Sequence, residues 1–95
     1  MISMSVHVKV IPQKEKEFLQ TMESLKREGK SLRGLRSIHI FQDVEDQTCF
    51  SLIKEWESDE DLKNYLKGEN FTILLGAMEV LCESSEIRCS EFSQK

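Results

Sequence analysis

The chain has 95 residues, 39% of them hydrophobic and 32% charged, and its formal net charge is −4 at pH 7. This length allows one domain with a small core, and the composition excludes an intrinsically disordered chain. The acidic balance argues against a nucleic-acid partner, because nucleic-acid-binding proteins neutralise phosphates with a basic stripe that this sequence lacks.

The first predicted element is a β-strand over residues 4–10. Apolar side chains alternate with polar ones from Met4 to Val10, and a period of two is typical of a strand with one buried face. Pro12 ends the strand, because proline has no N–H to donate to a neighbouring strand.

A helix is predicted next, from Gln13 to about Lys30. Phe18 and Leu25 lie seven residues apart on one apolar stripe, as an amphipathic helix requires. Gly29 and Gly34 follow at the helix exit, where a left-handed backbone conformation is accessible to glycine.

Two strands joined by a polar hairpin loop are predicted over residues 35–42 and 48–56. One face of the second of these strands is apolar and includes Trp56, and Lys54 is its single charged member. A buried lysine needs an acidic partner or a lowered pKa, which would mark a functional site. Alternatively, Lys54 extends its amine to water from a position near the strand end.

Two helices and a strand complete the predicted elements. Ser58, followed by acidic residues, predicts the N-cap of a short helix that carries Tyr65 and ends at Gly68. A second helix is predicted from about Phe71 to Cys82 by its strong 3.6-residue period, and a last strand from Glu86 to Phe92.

The element order β-α-β-β-α-β predicts a single α+β domain over residues 1–95, of ferredoxin-like topology with a four-stranded antiparallel sheet. Both helical segments would cover one face of this sheet. The other face is mixed in polarity, so we expect it to pack against a second copy in a homodimer, with a solvated open face as the alternative. The residues predicted on this face are His7, Lys9, His39, Phe41, Cys49, Ser51 and Ile53.

Four segments carry a resemblance to a known family. Residues 10–18 match the pattern V-x-P-x-K-x-x-E-F, and residues 34–46 are similar to a second strand and hairpin. Residues 50–58 resemble F-x-L-x-E-x-W-x-S, and residues 65–71 resemble H-L-x-S-x-x-F. Together these motifs resemble the antibiotic-biosynthesis-monooxygenase family over about residues 4–92.

The resemblance implies a dimeric α+β barrel, in which the sheets of two copies pack face to face. It also implies a substrate pocket between the helices and the sheet. Characterised enzymes of this family oxidise small electron-rich aromatics or quinols with O₂, mostly without metal or flavin. The function implied is therefore a cofactor-independent monooxygenase with a small-molecule substrate, and no cofactor or metal is expected.

The sequence departs from the family pattern at several positions. Lys54 replaces the usual glutamate of the tryptophan motif, and Tyr65 replaces the usual histidine of the next motif. Leu52 stands where relatives that oxidise polyketides have an asparagine. Haem-degrading relatives use an asparagine and a histidine at the positions of Val6 and Leu75, so haem degradation is not expected without that axial ligand.

Six residues are candidates for the site. We predict His39 and Tyr65 as catalytic residues, because an imidazole or a phenol can exchange a proton with a substrate oxygen. The predicted substrate-binding residues are Trp56, Phe71, Lys54 and Met78. Each also has a structural interpretation. Trp56 would be a core residue, and Phe71 and Met78 would belong to the apolar stripe of a helix. Tyr65 would lie on a helix with its hydroxyl in water, and His39 would be buried inside a dimer.

Two other functions stay open at this point. One is a non-catalytic ligand-binding or assembly module on the same dimeric scaffold, because a fold does not determine a function. The other is an isomerase of a small carbonyl metabolite, which needs a base but no O₂.

Cellular location is predicted from the cysteines and from the apolar runs. Three cysteines without CxxC spacing argue against a disulfide framework or a zinc site. No apolar run approaches the roughly 20 residues that span a bilayer, and residues 1–10 do not resemble a signal peptide. We therefore expect a cytoplasmic protein with no membrane partner.

Overall fold

A computed structural model describes residues 2–91, which form an antiparallel sheet covered on one face by helices. The strands occur in the order β2-β3-β1-β4 across the sheet, and this order confirms the predicted ferredoxin-like α+β fold. The elements are the strands β1 (Ile2–Val10), β2 (Leu35–Gln42), β3 (Cys49–Trp56) and β4 (Cys82–Glu91), and the helices α1 (Glu15–Gly29), α2 (Asp59–Leu66) and α3 (Glu69–Leu81).

Several boundaries differ from the sequence prediction, and three element starts illustrate this. The first strand begins at Ile2, and the third helix begins at Glu69. The last strand begins at Cys82, directly after α3, instead of at Glu86. Its first residues are polar, but they pair with β1, and backbone pairing rather than an apolar alternation defines this part of the strand. The predicted strand end at Phe92 lies outside the described residues.

The core lies between the helices and the alternate residues of β1 and β3, which are the two central strands of the sheet. Trp56, Lys54 and Met4 are its largest fully buried side chains. None of the helices within residues 2–91 is long and apolar enough to cross a membrane. The buried apolar residues are Ile2, Met4, Val6, Val8, Val10, Phe18, Met22, Leu25, Phe50, Leu52, Trp56, Leu62, Tyr65, Leu74, Met78, Leu81 and Cys82.

Gly34 joins the α1–β2 loop to the start of α2. Its φ of 79° is in the left-handed region, where glycine has no steric penalty. A Cβ at this position would collide with the side chain of Asp61, and the Gly34 carbonyl accepts a hydrogen bond from the Glu57 N–H at 2.8 Å. The predicted left-handed conformation is confirmed at Gly34, whereas Gly29 is still part of α1.

The start of α2 is fixed by the predicted N-cap. The Ser58 hydroxyl accepts a hydrogen bond from the Asp61 N–H at 3.2 Å and donates one to Asp61 Oδ2 at 2.9 Å. Such a cap stabilises a helix by about 1 kcal/mol. It also sets the helix phase, and Tyr65, on the next turns of α2, is directed into the core.

The face of the sheet opposite the helices is open and mainly polar. Cross-strand hydrogen bonds occupy much of it: His7 Nδ1 lies 2.9 Å from Ser51 Oγ, and the Ser37 hydroxyl donates to Glu55 Oε1 at 2.6 Å. Phe41 is its large exposed apolar side chain, with 53% of its surface accessible. This is the face for which the sequence predicts a second copy.

Candidate functional site

Lys54 is buried in the core and has an unusual partner. Its side chain is fully inaccessible, and Nζ donates a hydrogen bond to the Tyr65 hydroxyl at 2.7 Å. The same Nζ lies 4.3 Å from the centre of the Tyr65 ring, within the range of a cation–π contact. The ion pairs found within residues 2–91 do not include Lys54.

The position of Lys54 follows from the strand pattern of β3. Residues 50, 52, 54 and 56 alternate onto the helix-covered face, and β3 is an inner strand that pairs with both β1 and β2. Opposite Lys54 lie Met4 in β1 and Ile38 in β2. Lys54 therefore lies on a central strand, and its amine ends in the core instead of reaching water.

Burial moves the pKa values of the pair in opposite directions. It lowers the pKa of Lys54 from 10.5 to about 8 and raises the pKa of Tyr65 above its usual value. Desolvation disfavours the charged form in both cases, and that form is the protonated lysine but the deprotonated tyrosine. Near pH 8, Lys54 therefore exchanges a proton while the Tyr65 hydroxyl remains neutral.

Aromatic packing holds Tyr65 against Lys54. The rings of Trp56 and Tyr65 have centroids 4.8 Å apart and planes at 36°. The rings of Tyr65 and Phe71 are 5.4 Å apart at 59°. Each such tilted pair stabilises the fold by about 0.5–1.5 kcal/mol in addition to the stabilisation from burying its apolar surface. The Tyr65 hydroxyl is thus fixed in position by a ring on either side and by the lysine.

An open pocket lies where α2 and α3 meet the α1–β2 loop, and we call it the corner pocket. Its volume is about 240 Å³, somewhat below the roughly 300–1,000 Å³ of sites for drug-sized ligands. This size suits a small ligand. Its walls combine two aromatic rings with charged and amide side chains, and the lining residues are Leu32, Arg33, Trp56, Asp61, Asn64, Tyr65, Gly68, Glu69 and Asn70.

The structure brings four of the six predicted residues together. Trp56 and Tyr65 line the corner pocket. Lys54 and Phe71 each contact Tyr65, so they support the pocket without lining it. The expectation that Tyr65 has its hydroxyl in water is wrong, because the residue is buried.

Met78 lies apart, in a narrow core cleft between the helices and the sheet. The cleft is lined mainly by apolar side chains from α1, α3 and the inner strands, and its volume is about 10 Å³. That is room for about one water molecule. The corner pocket therefore offers much more open space for a ligand than this cleft does.

His39 is on the opposite side of the molecule. It is exposed on the open face of the sheet, where its ring stacks with Phe41 at 6.1 Å. The helix-covered face of the sheet carries Lys54 and Tyr65, so the sheet separates His39 from them. The structure does not bring the two predicted catalytic residues together.

Several pocket residues were not predicted from the sequence. Arg33 lies in a loop, and Asp61, Asn64 and Asn70 lie near helix ends. Loops and helix ends carry no periodic pattern, so their positions depend on tertiary packing. Within residues 2–91, no three histidine, cysteine, aspartate or glutamate side chains meet as a metal site would require.

A family model supports the resemblance that the motifs indicate. The model described as "Antibiotic biosynthesis monooxygenase" matches residues 1–73, well over half of the chain. The chain belongs to the antibiotic biosynthesis monooxygenase family. The match extends through Lys54, Tyr65 and Phe71 and ends within α3.

Individual relatives agree with this assignment. A Bacillus subtilis (strain 168) protein named "Putative monooxygenase YcnE" is 25% identical over 71 residues, which are 75% of each chain. A conserved protein from Methanosarcina mazei Go1 gives a TM-score of 0.88 at 19% identity, covering 97% of this chain and 92% of that one. A crystal structure of an antibiotic biosynthesis monooxygenase gives 0.85 at 17% identity, covering 99% and 100%. The structural likeness shows a shared fold.

The two main departures from the family motifs are in direct contact. Lys54 stands at the glutamate position and Tyr65 at the histidine position, and these side chains are hydrogen-bonded to each other. The side chains at these two motif positions are therefore one contacting pair beside the corner pocket.

Proposed function

We propose that this protein is a cofactor-independent monooxygenase whose small aromatic or quinol substrate binds in the corner pocket. The observation that carries this proposal is the Tyr65 hydroxyl, which belongs to a pocket-lining residue and is backed by the buried amine of Lys54. Membership of the family adds the expectation of O₂ chemistry.

The reaction needs only substrate and O₂. A phenolic hydroxyl loses its proton, and the electron-rich anion transfers an electron to O₂. The aryloxyl radical and superoxide then combine through a new C–O bond. This peroxide takes back the proton removed in the first step and then loses water to leave a quinone, so one oxygen atom enters the ring and the other leaves in water. The substrate supplies all four electrons that reduce O₂.

Lys54 and Tyr65 supply the proton transfer that starts this reaction. In its neutral form, Lys54 accepts the proton of the Tyr65 hydroxyl while that hydroxyl takes the proton of the substrate. A base is most effective when its pKa lies close to the working pH, and the pKa of Lys54 is about 8. The ammonium ion formed then stabilises the substrate anion across Tyr65, in surroundings from which water is excluded.

The aromatic rings position the substrate. Trp56 and Tyr65 form an apolar wall of the corner pocket, and a planar aromatic ligand can stack or pack edge-on against them. Phe71 holds Tyr65 from the other side. This support keeps the hydroxyl in place while the proton is transferred.

The protein is proposed to work as a homodimer through the open face of the sheet. Phe41 is exposed there, and the half-buried Ile53 lies on the neighbouring strand. A second copy would cover these side chains and leave the corner pocket, on the helix side, accessible. The proposed location is the cytoplasm, where the unpaired thiols of Cys49, Cys82 and Cys89 would stay reduced.

Oxygen uptake with a panel of hydroquinones, naphthols and anthrones tests the proposal. We expect the wild-type protein to exceed the buffer rate with at least one substrate. Tyr65→Phe should lower this rate at least 100-fold, because it removes the hydroxyl but keeps the ring. The exposed Lys16→Met variant serves as the control and should retain the wild-type rate.

Rates equal to buffer across the whole panel would contradict the proposal. A full rate in Tyr65→Phe would contradict the assigned proton path, and loss of the rate in a His39→Asn variant alone would move that path to the open face. Mass spectrometry with ¹⁸O₂ should find one labelled oxygen atom in the product.

A non-catalytic ligand-binding module is the second candidate. The core cleft favours it, because this space between helices and sheet is filled by side chains of the protein itself. In that case, aromatic ligands would bind at the corner pocket without O₂ uptake. An isomerase would use the same Lys54–Tyr65 pair, and it would turn over a carbonyl substrate under nitrogen.

A further inference from the structure

An open groove lies at one edge of the sheet, between the end of α1 and the start of β2, and we call it the edge groove. Its volume is about 370 Å³, within the usual range of ligand-binding sites. Three of the described residues that line it are basic and none is acidic. These lining residues are Lys26, Lys30, Leu35, Arg36, Ser37 and Ile38. The edge groove is therefore a positively charged surface on a chain whose net charge is −4.

The chain itself neutralises little of this positive charge. The ion pairs found within residues 2–91 do not include Lys26 or Lys30, and both lysines are exposed. They are four residues apart at the end of α1, a spacing at which like charges repel each other and weaken a helix. Arg36 lies 3.6 Å from Glu57 Oε1, and 50% and 59% of these two side chains are exposed, so water weakens their attraction. The edge groove therefore presents its cations to an external partner.

Gly29 brings the end of α1 close to β2. A Cβ on Gly29 would lie 2.8 Å from Ile38 Cδ1 and 3.5 Å from Leu35 Cδ2, and the first distance is shorter than the contact distance of two carbon atoms. A side chain at this position would push the helix away from the strand. The close approach of α1 lets Lys26 and Lys30 line one groove together with β2.

The backbone of β2 is open to pairing along this groove. Among residues 2–91, β2 ends the strand order and pairs only with β3. Directly after β2, the Asp43 N–H donates to the Cys49 carbonyl across the ladder at 2.9 Å. Backbone groups of alternate residues point to opposite sides, so those of Ile38 and Ile40 point away from β3. Edge strands are commonly protected by proline or by several charged side chains, but β2 has no proline and one permanently charged residue, Arg36.

We propose that the edge groove binds an extended acidic peptide segment of a partner protein, which joins the sheet as a strand beside β2. In this binding mode, main-chain hydrogen bonds to the edge strand hold the peptide and contacts to its alternate side chains select it. Four residues of a helix rise by about 6 Å, and alternate residues of a strand are about 6.7 Å apart. Aspartate or glutamate at every second position therefore matches the spacing of Lys26 and Lys30. This inference goes beyond the proposed oxidation and does not depend on it.

Two other occupants satisfy the groove less well. A second copy paired here about a two-fold axis would bring the same surface of both chains together, so the three basic residues of one copy would repel those of the other. A small free anion would meet the lysines but leave the outward N–H and C=O groups of β2 without a partner strand. An acidic strand meets both the charges and the backbone.

Titration with two heptapeptides, acetyl-T-E-T-E-T-E-T-amide and acetyl-T-K-T-K-T-K-T-amide, tests the proposal by ¹⁵N–¹H correlation spectra. The peptides have the same length and opposite charges. We expect the acidic peptide to bind at least tenfold more tightly, and to bind more weakly as the salt concentration rises from about 0.05 to about 0.5 M. With this peptide bound, the amide hydrogens of Ile38 and Ile40 should exchange with solvent at least tenfold more slowly, because they donate to its carbonyls. The His39 amide, which points to β3, should not change.

A double variant assigns the binding to the two lysines. Lys26→Gln combined with Lys30→Gln should weaken binding of the acidic peptide at least tenfold, and glutamine and lysine have similar helix propensities. The matched control combines Lys16→Gln with Lys67→Gln, which removes the same charge from exposed lysines outside the edge groove. It should bind within twofold of the wild type. Circular dichroism checks that both double variants are folded.

Several results would overturn the inference. They include no binding of the acidic peptide at millimolar concentration, equal binding of the two peptides, and unchanged binding in the Lys26→Gln and Lys30→Gln double variant. Binding without slower exchange at Ile38 and Ile40, or an equal affinity for inorganic phosphate, would mean that the groove holds anions without an added strand. Slow exchange at these two amides before any peptide is added would mean that β2 already pairs with a second copy.

Discussion

Lys54 is placed by ordinary strand alternation at a position where an apolar side chain would be more stable. It is fully buried, and its hydrogen-bond partner is the neutral hydroxyl of Tyr65. A buried charge without a counter-ion costs several kcal/mol unless the group becomes neutral. The lowered pKa of Lys54 reflects this cost, and we interpret the lysine as retained for the chemistry of the corner pocket.

Lys54→Met should therefore stabilise the protein. Methionine has a similar shape and no charge to desolvate, so we expect the free energy of unfolding at pH 7 to rise by about 1–3 kcal/mol. Urea denaturation followed by circular dichroism measures this change. Lys16→Met on the exposed surface of α1 is the control, expected within about 0.5 kcal/mol of the wild type. A large loss of stability in Lys54→Met would show that the amine is well paired.

The stabilisation by Lys54→Met should depend on pH in a defined window. Below pH 8, Lys54 is protonated in both the folded and the unfolded state. The folded state is then destabilised by the full desolvation cost of the buried ammonium ion. Between pH 8 and about 10, the folded state loses this proton while the unfolded state keeps it, so wild-type stability rises with pH and the difference narrows. Above pH 10, the raised pKa of Tyr65 acts in the opposite direction, so the comparison ends there. If the difference in unfolding free energy between Lys54→Met and the wild type did not change with pH, the interpretation of Lys54 as a buried titrating lysine would be contradicted.

The sequence predicted those site residues that lie on regular elements. Alternation predicted Trp56 and Lys54 on one face of their strand, and the family motifs singled out both of them and Tyr65. Asn70 and Arg33 were not predicted, because their positions depend on how loops and helix ends pack. For His39, alternation predicts the sheet face but cannot show whether that face shares a site with α2.

At the scale of elements, the corner pocket depends on how the α1–β2 loop meets the start of α2. Gly34 provides the left-handed turn and leaves room for the Asp61 side chain. Asp61 in turn is held by the Ser58 cap. These contacts set the position of α2 and hence of the Tyr65 hydroxyl.

Gly34→Ala should destabilise the protein and disturb the pocket. The left-handed conformation costs an L-residue about 1–2 kcal/mol, and the new methyl group collides with Asp61, so we expect a loss of at least 2 kcal/mol by urea denaturation. Gly76→Ala is the matched control. A Cβ on Gly76 meets no atom within 4 Å, and alanine in a helix interior should stabilise by up to about 1 kcal/mol. If Gly34→Ala and Gly76→Ala changed the free energy of unfolding equally, the steric requirement for glycine at position 34 would be contradicted.

The elements differ in how well their sequence predicts them. The boundaries of β2 match the prediction, because alternation and the polar hairpin both mark them. The start of β4 at Cys82 was missed, since Ser84 and Ser85 join the strand by pairing with Lys9 and Val8 of β1 and not through an apolar pattern. A strand start that is set by pairing with another strand leaves no signal in the local sequence.

At the scale of the whole molecule, the proposed substrate site and the proposed dimer face lie on opposite sides of the sheet. The corner pocket is on the helix side, and the open face with Phe41 and His39 is on the other. A dimer formed through the open face therefore leaves the pocket accessible to substrate. Burying this face would also add to the small core of a domain of this size.

Phe41→Asp should shift the protein from dimer to monomer. A charge placed in the apolar part of a buried interface lacks a partner and costs several kcal/mol, so we expect at least a 100-fold weaker self-association by sedimentation at micromolar concentration. Val44→Asp, in the exposed hairpin loop, is the control and should sediment as the wild type does. A wild-type protein that is monomeric at this concentration would contradict the proposed assembly.

The most direct test of the proton path is the pH dependence of kcat/KM for O₂ uptake, with a quinol whose hydroxyls stay protonated up to pH 9. Because the active base is the neutral form of Lys54, the wild-type value should fall about tenfold per pH unit below pH 8 and level off above it. In Lys54→Met, the remaining activity should show no inflection near pH 8. An unchanged inflection in this variant would contradict the assignment of Lys54 as the base.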